Sequence, residues 1–444
     1  MSNKQFPEDE IPSDMAYRTI KDNLVDDGAP TLNLGSFVTT YMEDEAKKLI
    51  IDSLSKNLAN HEAYPVTTDL QNRCLDMIAQ LFNVPTNGEP DVTAVGTSTV
   101  GSSEAILLAT LAMKKRWINR QRSAGKDVSR PNLIMSSAVQ VCWKKAMLYF
   151  DVEPKYIYCT KERWTMDAIE AVELVDENTI GICAILGTTY TGEYEDIKAI
   201  NDLLAERDLD VPIHVDAASG GFVAPFIEPD LLWDFRLEKV ASINVSGHKY
   251  GLVYAGIGWI IWRGREYLPK ELTFNINYLG TEQSSLTLNF SRGASPIVSQ
   301  YYNFIRLGRQ GYRRVMLNLL RTTEYLATKL KDLDCFIIMS KRHGRGLPLI
   351  ALRLDPAKSY AFDEFTIYHE LRQQGGWIVP AYTMAPHAED LKMLRIVIRE
   401  EFSYALCDAL VADFRAVLGR LCKSKFTPLA QKEIHAIDTA VIIV

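Results

Sequence analysis

The sequence predicts an α/β protein: a large, mainly parallel sheet flanked by helices, then a smaller α/β unit toward the C-terminus. Two patterns carry that expectation. From residue 92 to about residue 262, short apolar, β-prone runs alternate with stretches whose apolar residues recur at helical spacing. Strands linked by helical crossovers run parallel with both faces covered, and ligands then sit at the strands' C-terminal ends. After a long helical stretch at 296–333, strand and helix alternate again on a smaller scale. The expected division is an N-terminal arm (1–45), a large domain (46–319) and a small domain with its tail (320–444).

In chain order, residues 1 to about 30 hold Pro, Asp and Glu with few large apolar groups and are expected as a mobile arm. The stretch 32–41 is small and β-prone. Ala46, Leu49, Ile50, Leu54 and Leu58 mark a helix over 43–58, and a second follows Tyr64-Pro65 at 68–81. Strands are expected at 133–135, 156–159, 180–186, 213–215, 240–245 and 257–262. The helical patterns between them cover 103–120, 141–150, 166–175 and 197–207. The C-terminal alternation comprises 336–339, 349–354, 362–374, 377–383, 394–398 and 404–422.

The totals exclude several classes. Of 444 residues, 47% are hydrophobic and 24% charged, an ordinary globular composition that can bury a large core. A net charge of -7 argues against a nucleic-acid partner. Seven cysteines with no CxxC pair suit a reducing compartment and no metal site. There is no signal-peptide hydrophobic stretch near the start and no apolar run of the roughly 18 residues a membrane span needs. A cytoplasmic location without membrane attachment is expected.

The chemistry centres on residues 242–251, where a β-rich run ends in small residues and presents His248 and Lys249. A lysine just past a buried strand can form a Schiff base with an aldehyde when its amine is neutral and positioned. Pyridoxal 5'-phosphate (PLP) is the usual aldehyde. It requires a carboxylate at its pyridinium nitrogen and a phosphate cup, commonly at a helix N-terminus. Alone, a His-Lys pair is most often a solvated surface pair. Here each requirement finds a candidate upstream.

Residues 96–105 lead straight into an Ala/Leu-rich helix. Gly101 lets the backbone approach a ligand, and Ser102 and Ser103 place hydroxyls beside the free N–H groups of the first turn. In isolation Ser103 reads as an N-cap. His214-Val215-Asp216-Ala217-Ala218-Ser219-Gly220-Gly221 follows an apolar strand, where Asp216 can keep the ring nitrogen protonated and small residues leave room for a planar ring. In isolation Asp216 reads equally as the cap of a turn. Thr189, at another strand end, suits either the cofactor or turn chemistry, and Gln140 opens a helix with a planar amide that can lie against the ring. Together the segments are far stronger than any one of them. No Gly-x-Gly-x-x-Gly opens a helix, which counts against a dinucleotide fold.

These segments, with Tyr64-Pro65-Val66-Thr67-Thr68, Asn72-Arg73-Cys74, Gln140-Val141-Cys142-Trp143, Trp233-Asp234-Phe235-Arg236 and Asn289-Phe290-Ser291-Arg292, carry a resemblance. From about Asn33 to about Phe402 the chain resembles the glutamate decarboxylases of the PLP-dependent group II family, bacterial and plant. The resemblance implies a fold-type I enzyme, a homodimer or hexamer of dimers with active sites at the dimer interface. It also implies α-decarboxylation of L-glutamate to γ-aminobutyrate. Position by position, Lys249 is the Schiff-base lysine and Asp216 the pyridinium partner. Ser102, Ser103, Ser246 and His248 surround the phosphate, with Ser291 contributed by the neighbouring subunit. Gln140 stacks on the ring, with Thr189 and Ala218 beside it. Arg399 binds the substrate α-carboxylate, while Ser36, Phe37, Asn57 and Asn60 shape the pocket for the distal carboxylate. Tyr278 and Leu279 lie in a loop that covers the site, so Lys249, Tyr278 or His248 returns the proton to Cα.

Two departures stand out. Asn60 replaces the aspartate usual in the family, which keeps open the same chemistry on aspartate, cysteine sulfinate or a related acid. A non-catalytic, partner-binding relative is the other alternative. The tail does not resemble the bacterial one, and Arg420, Lys423 and Lys425 around Leu421 and Phe426 suit either a calmodulin-binding helix or a solvated helix end.

Overall fold

Seven strands form the central sheet: β1 (Gly96–Thr99), β2 (Asn132–Ser136), β3 (Glu153–Ile157), β4 (Thr179–Ile185), β5 (Ile213–Asp216), β6 (Val240–Ser246) and β7 (Gly258–Trp262). The structure, a computed structural model, describes residues 4–85, 94–276, 283–342 and 344–423. The strand order is β1-β7-β6-β5-β4-β2-β3. β3, β2, β4, β5 and β6 run parallel, whereas β7 is antiparallel to β6 and β1 to β7. Every residue of β2, β4, β5, β6 and β7 is buried, as strands covered on both faces must be.

The helices are α1 (Ser13–Asn23), α2 (Asp44–Ser53), α3 (Pro65–Leu81), α4 (Ser102–Ser123), α5 (Val141–Tyr149), α6 (Ala168–Glu173), α7 (Ile197–Glu206), α8 (Ala224–Ile227), α9 (Ser295–Lys331), α10 (Glu364–Gly375) and α11 (Tyr404–Leu421). α4 buries Ala105, Leu108, Ala109 and Ala112 against Ile260 and Trp262 of β7, which sets its N-terminus beside the end of β6. The small residues let the helix lie close to the sheet. α9 is interrupted at Gly308, whose φ of 55° takes it out of helical geometry, so the long helical stretch is two helices meeting at that glycine.

β8 (Phe274–Ile276) and β9 (Gln283–Ser285) make a short antiparallel pair. β10 (Phe336–Ile338), β11 (Leu349–Leu354), β12 (Ala381–Thr383) and β13 (Lys392–Val397) form a second, wholly antiparallel sheet in the order β10-β11-β13-β12.

Two local expectations differ. Within the expected arm, α1 is a helix; it buries none of its residues. The β-prone stretch 32–41 forms no strand. Leu34 N–H donates to Ile378 O at 2.9 Å and Val397 N–H to Leu34 O at 2.8 Å, after which the chain turns away along the site. Among the described residues no helix is long and apolar enough to cross a membrane, and no group of His, Cys, Asp and Glu is placed to hold a metal ion.

Candidate active site

The turn after β6 places Lys249 at the edge of the sheet. Its Nζ donates to Ser219 Oγ at 3.2 Å and lies 5.4 Å from the centre of the Phe37 ring. Burial lowers its pKa below the ordinary lysine value; Asp216 opposes that shift and Arg395 adds to it. A lysine shifted in this direction more readily offers a neutral, nucleophilic amine. Thr39 holds the same turn, with its hydroxyl donating to Lys249 O and its N–H to His248 O, both at 2.9 Å.

Asp216 ends β5, opposite Asn244 of β6, so the strand pairing brings the carboxylate to the lysine's edge. It is 5% exposed. Trp143 Nε1 donates to Oδ2 at 2.8 Å, while Asn244 Nδ2 and the Ala218 N–H donate to Oδ1 at 3.0 and 3.1 Å. These donors fix its orientation. Because Asn244 gives its amide N–H to Asp216, its carbonyl accepts from His214 Nε2 at 2.8 Å, and Ser242 Oγ faces His214 Nδ1 at 2.7 Å. Burial holds the His214 pKa down at about 4, so this imidazole stays neutral.

The anion cup lies at the start of α4. Ser102 Oγ is 2.7 Å from Ser246 Oγ, joining the helix to the end of β6. Gly101 caps the helix without any side-chain hydrogen bond, so the first-turn N–H groups remain open to an anion. A Cβ on Gly258 would lie 2.6 Å from Gly101 C and 2.7 Å from Ser102 N, so only glycine lets β7 pass here. His248 stands over Gly101 and its Nδ1 accepts the Ile257 N–H at 3.3 Å; burial and then Lys249 pull its pKa down to about 4. Glu104, the nearby acid, is turned away onto Val100 N–H at 2.8 Å. Open N–H groups, two hydroxyls and a buried carboxylate one strand away fit PLP.

Of the remaining expected residues, Ser103 is exposed at the same helix start. Gln140 caps α5 through Oε1, which accepts the Cys142 N–H at 2.6 Å. Thr189 offers its carbonyl to Arg395 at 2.7 Å. Ser36 Oγ accepts the Val38 N–H at 3.1 Å, and Phe37 is 7% exposed, edge-on to Tyr250. Asn57 Nδ2 donates to Ser291 Oγ at 3.1 Å, beside the Asn57–Gly293 bridge. Asn60 Oδ1 accepts the Ala63 N–H at 3.0 Å. Tyr278 and Leu279 lie outside the described residues.

Arg399, expected at the substrate α-carboxylate, is bonded within the protein. Its Nη1 donates to Asn33 O and Ser36 O at 2.8 and 3.0 Å, its Nη2 to Pro30 O at 2.8 Å, and its Nε to Glu401 at 3.2 Å. With Glu401 also 3.2 Å from Nη2, the fork is fully engaged inside the protein. Arg395 is different. Its guanidinium lies 5.1 Å from the Phe37 ring centre and 5.6 Å from that of Tyr382, held by Thr189 O and by Gly35 O at 2.9 Å. Its Nε is buried without a partner, and its charge neighbours among the described residues are tyrosines, not carboxylates. A buried cation near Lys249 without a carboxylate partner is costly unless an anion joins it.

Trp143, Ser219 and Asn244 join the candidate site through Asp216 and Lys249; each stands inside a segment whose other residues point to the cofactor. Thr39 carried no signal.

A buried lysine just past a strand, with a strand-end carboxylate and an open helix N-terminus at the same end of the sheet, is the arrangement of the lysine-bound PLP enzymes. The pyridoxal-dependent decarboxylase conserved domain matches residues 8–355, and the chain belongs to that family. It is similar to glutamate decarboxylase 1 of Arabidopsis thaliana, 53% identical over 438 residues that cover 98% of this chain and 85% of the relative. Glutamate decarboxylase beta of Listeria monocytogenes is 44% identical over 415 residues, covering 92% and 88%. The solved structure of the Lactobacillus brevis glutamate decarboxylase superposes with a TM-score of 0.92 at 39% identity, covering 96% of this chain and 97% of that one.

Proposed function

We propose that this chain removes the α-carboxyl group of L-glutamate as CO₂ and releases γ-aminobutyrate. The observation that carries this reading is the convergence of Lys249 and Arg395 on Phe37, a nucleophile and an uncompensated cation flanking one ring. PLP, when bound, supplies the electron sink for cleavage at Cα. Asp216, fixed by Trp143, Asn244 and Ala218, serves the ring nitrogen; Ser102, Ser246, Ser103 and the first turn of α4 hold the phosphate. Gln140, Thr189 and Ala218 line the ring. Arg395, rather than Arg399, receives the α-carboxylate. His248 and Lys249, with Tyr278, are the groups that would hold a proton for Cα.

The distal carboxylate falls to Ser36, Phe37, Asn57 and Asn60. Asn60 spends its oxygen on Ala63, which leaves its amide N–H as a donor. Asn57 and Ser291 bond to each other in a partly exposed region, an arrangement suited to completing a partner subunit's site in a homodimer or hexamer of dimers. Exposed Met15, Ile20 and Leu24 on and beside α1 offer apolar surface for such assembly. Free thiols at all seven cysteines fit a cytoplasmic location. Arg420 is held by Glu370 and Gln374 at 3.1 and 2.7 Å, which favours a helix end serving the fold over a calmodulin site; Lys425 lies outside the described residues. The proposed division into 1–45, 46–319 and 320–444 leaves each of the two larger sheets in its own part, although its second boundary falls within α9.

The test is PLP-reconstituted protein offered L-glutamate, L-aspartate and cysteine sulfinate, with products identified by mass spectrometry. Dominant γ-aminobutyrate, lost with Lys249→Ala, is expected. Turnover of another acid in preference would refute the glutamate reading, and a bound cofactor with no turnover at all would favour a non-catalytic relative.

A further inference from the structure

Arg399 is 3% exposed, and three of its donors end on main-chain carbonyls of a single segment: Pro30, Asn33 and Ser36. Its other contact, Glu401, also accepts the Thr40 hydroxyl. The segment 30–40 is thus gripped at both ends by one largely buried ion pair. It is further bound to the second sheet through Leu34, with Ile378 O at 2.9 Å and Val397 N–H at 2.8 Å, and Arg395 takes Gly35 O at 2.9 Å. At its far end Thr39 holds the carbonyls of His248 and Lys249. Between the two anchorages lie Ser36 and Phe37.

We propose that Arg399 and Glu401 form a latch that docks the 30–40 segment over the active site, making Arg399 a positioning and specificity residue rather than a substrate ligand. This rests on the proposed decarboxylase reading and deepens it. Phe37 reaches both Lys249 and Arg395 only while its segment is docked. A chain without regular strand pairing depends on side-chain ties, and the Arg399 fork supplies several at once. Losing them populates undocked states. Apparent substrate affinity falls by the fraction still docked, and the side-chain pocket loses definition.

The experiment uses the PLP-loaded enzyme, with Arg399→Lys and Glu401→Gln as independent variants. Lysine keeps the charge but cannot reach several carbonyls together; glutamine keeps the shape at 401 but not the charge. Amide hydrogen exchange at Leu34 and Thr39 should quicken about ten-fold or more in both variants, while β4–β6 keep their protection. KM for L-glutamate should rise about ten-fold, more than kcat falls, and the preference for glutamate over aspartate should narrow. Loss of substrate binding with exchange unchanged would overturn the latch in favour of direct contact. Faster exchange throughout β4–β6 would overturn it in favour of a general structural role. The exchange measurement needs no substrate, so an enzyme that ignores glutamate would sink the glutamate reading while the latch is judged on exchange alone.

Discussion

Trp143 gives its indole N–H to Asp216 Oδ2 at 2.8 Å, so a residue of α5 fixes the carboxylate that ends β5. The bond is charge-assisted and buried. Trp143→Phe should keep the ring packing and remove only the donor, lowering kcat about ten-fold, in line with the roughly 1.5–3 kcal/mol of a hydrogen bond to a charged group. Asp216→Asn removes the charge itself and should cost on the order of a hundred-fold or more in kcat. Steady-state kinetics on cofactor-saturated protein decide this; a Trp143→Phe enzyme as active as wild type would deny the bond its role.

Arg395 separates ligand from latch. Arg395→Lys retains a charge but loses the planar fork clasped between Phe37 and Tyr382. KM should rise roughly ten- to a hundred-fold for every amino acid tested, without the change in side-chain preference expected of Arg399→Lys. A panel of glutamate and aspartate kinetics on both variants distinguishes them.

Asn60 offers a neutral donor where an acid is usual in the family. Asn60→Asp keeps the acceptor for the Ala63 N–H and so preserves the turn. Once ionised, above an ordinary aspartate pKa of about 3.9, it should repel the substrate's distal carboxylate. KM for glutamate in the variant should therefore climb between about pH 4 and pH 6, relative to wild type, as ionisation completes. Matching pH profiles for the two enzymes would remove Asn60 from the pocket.

Buried groups set opposing pH slopes on stability. His214 and His248 are both held at about 4, chiefly by burial, below the ordinary imidazole value of about 6.5. The unfolded chain then binds more protons, so their contribution is fully present above about pH 6.5 and is lost as pH falls toward 4. Glu195 and Glu400 are pushed up to about 7 by burial and act in the reverse sense, with stability lost as pH rises through 7. Denaturant unfolding from pH 4.5 to 6.5 (roughly the span between the free Glu and His values) should show a shallower acid loss for His214→Asn and a steeper one for Glu195→Gln. Parallel curves would mean that neither group titrates differently on folding.

Much of the site was legible in the sequence. Lys249 and Asp216 come at the end of strands made mostly of apolar or small residues, and the start of α4 follows the small residues of β1, so their place at the strand ends could be read before any contact was known. Trp143 and Asn244 stood in the same segments, but nothing local says that an indole on one element meets a carboxylate on another. Arg395 and Arg399 sit four residues apart and look alike in sequence. They differ because β13 stops at Val397: Arg395 projects from the strand toward Lys249, while Arg399 lies beyond its end, among the carbonyls of the 30–36 segment.

Periodicity determined the parallel sheet and the helix order, because burial on both faces forces apolar runs, and local motifs pointed to the Lys–Asp–Ser constellation, because a phosphate cup favours small residues at a helix start. Only the tertiary structure decided which guanidinium is spoken for, why 32–41 is a docked segment and not a strand, and how Asp216 is held. Those outcomes depend on hydrogen-bond partners from tens to hundreds of positions away, which the fold brings together: Trp143 on Asp216 and Pro30 O on Arg399, both at 2.8 Å, are two of them.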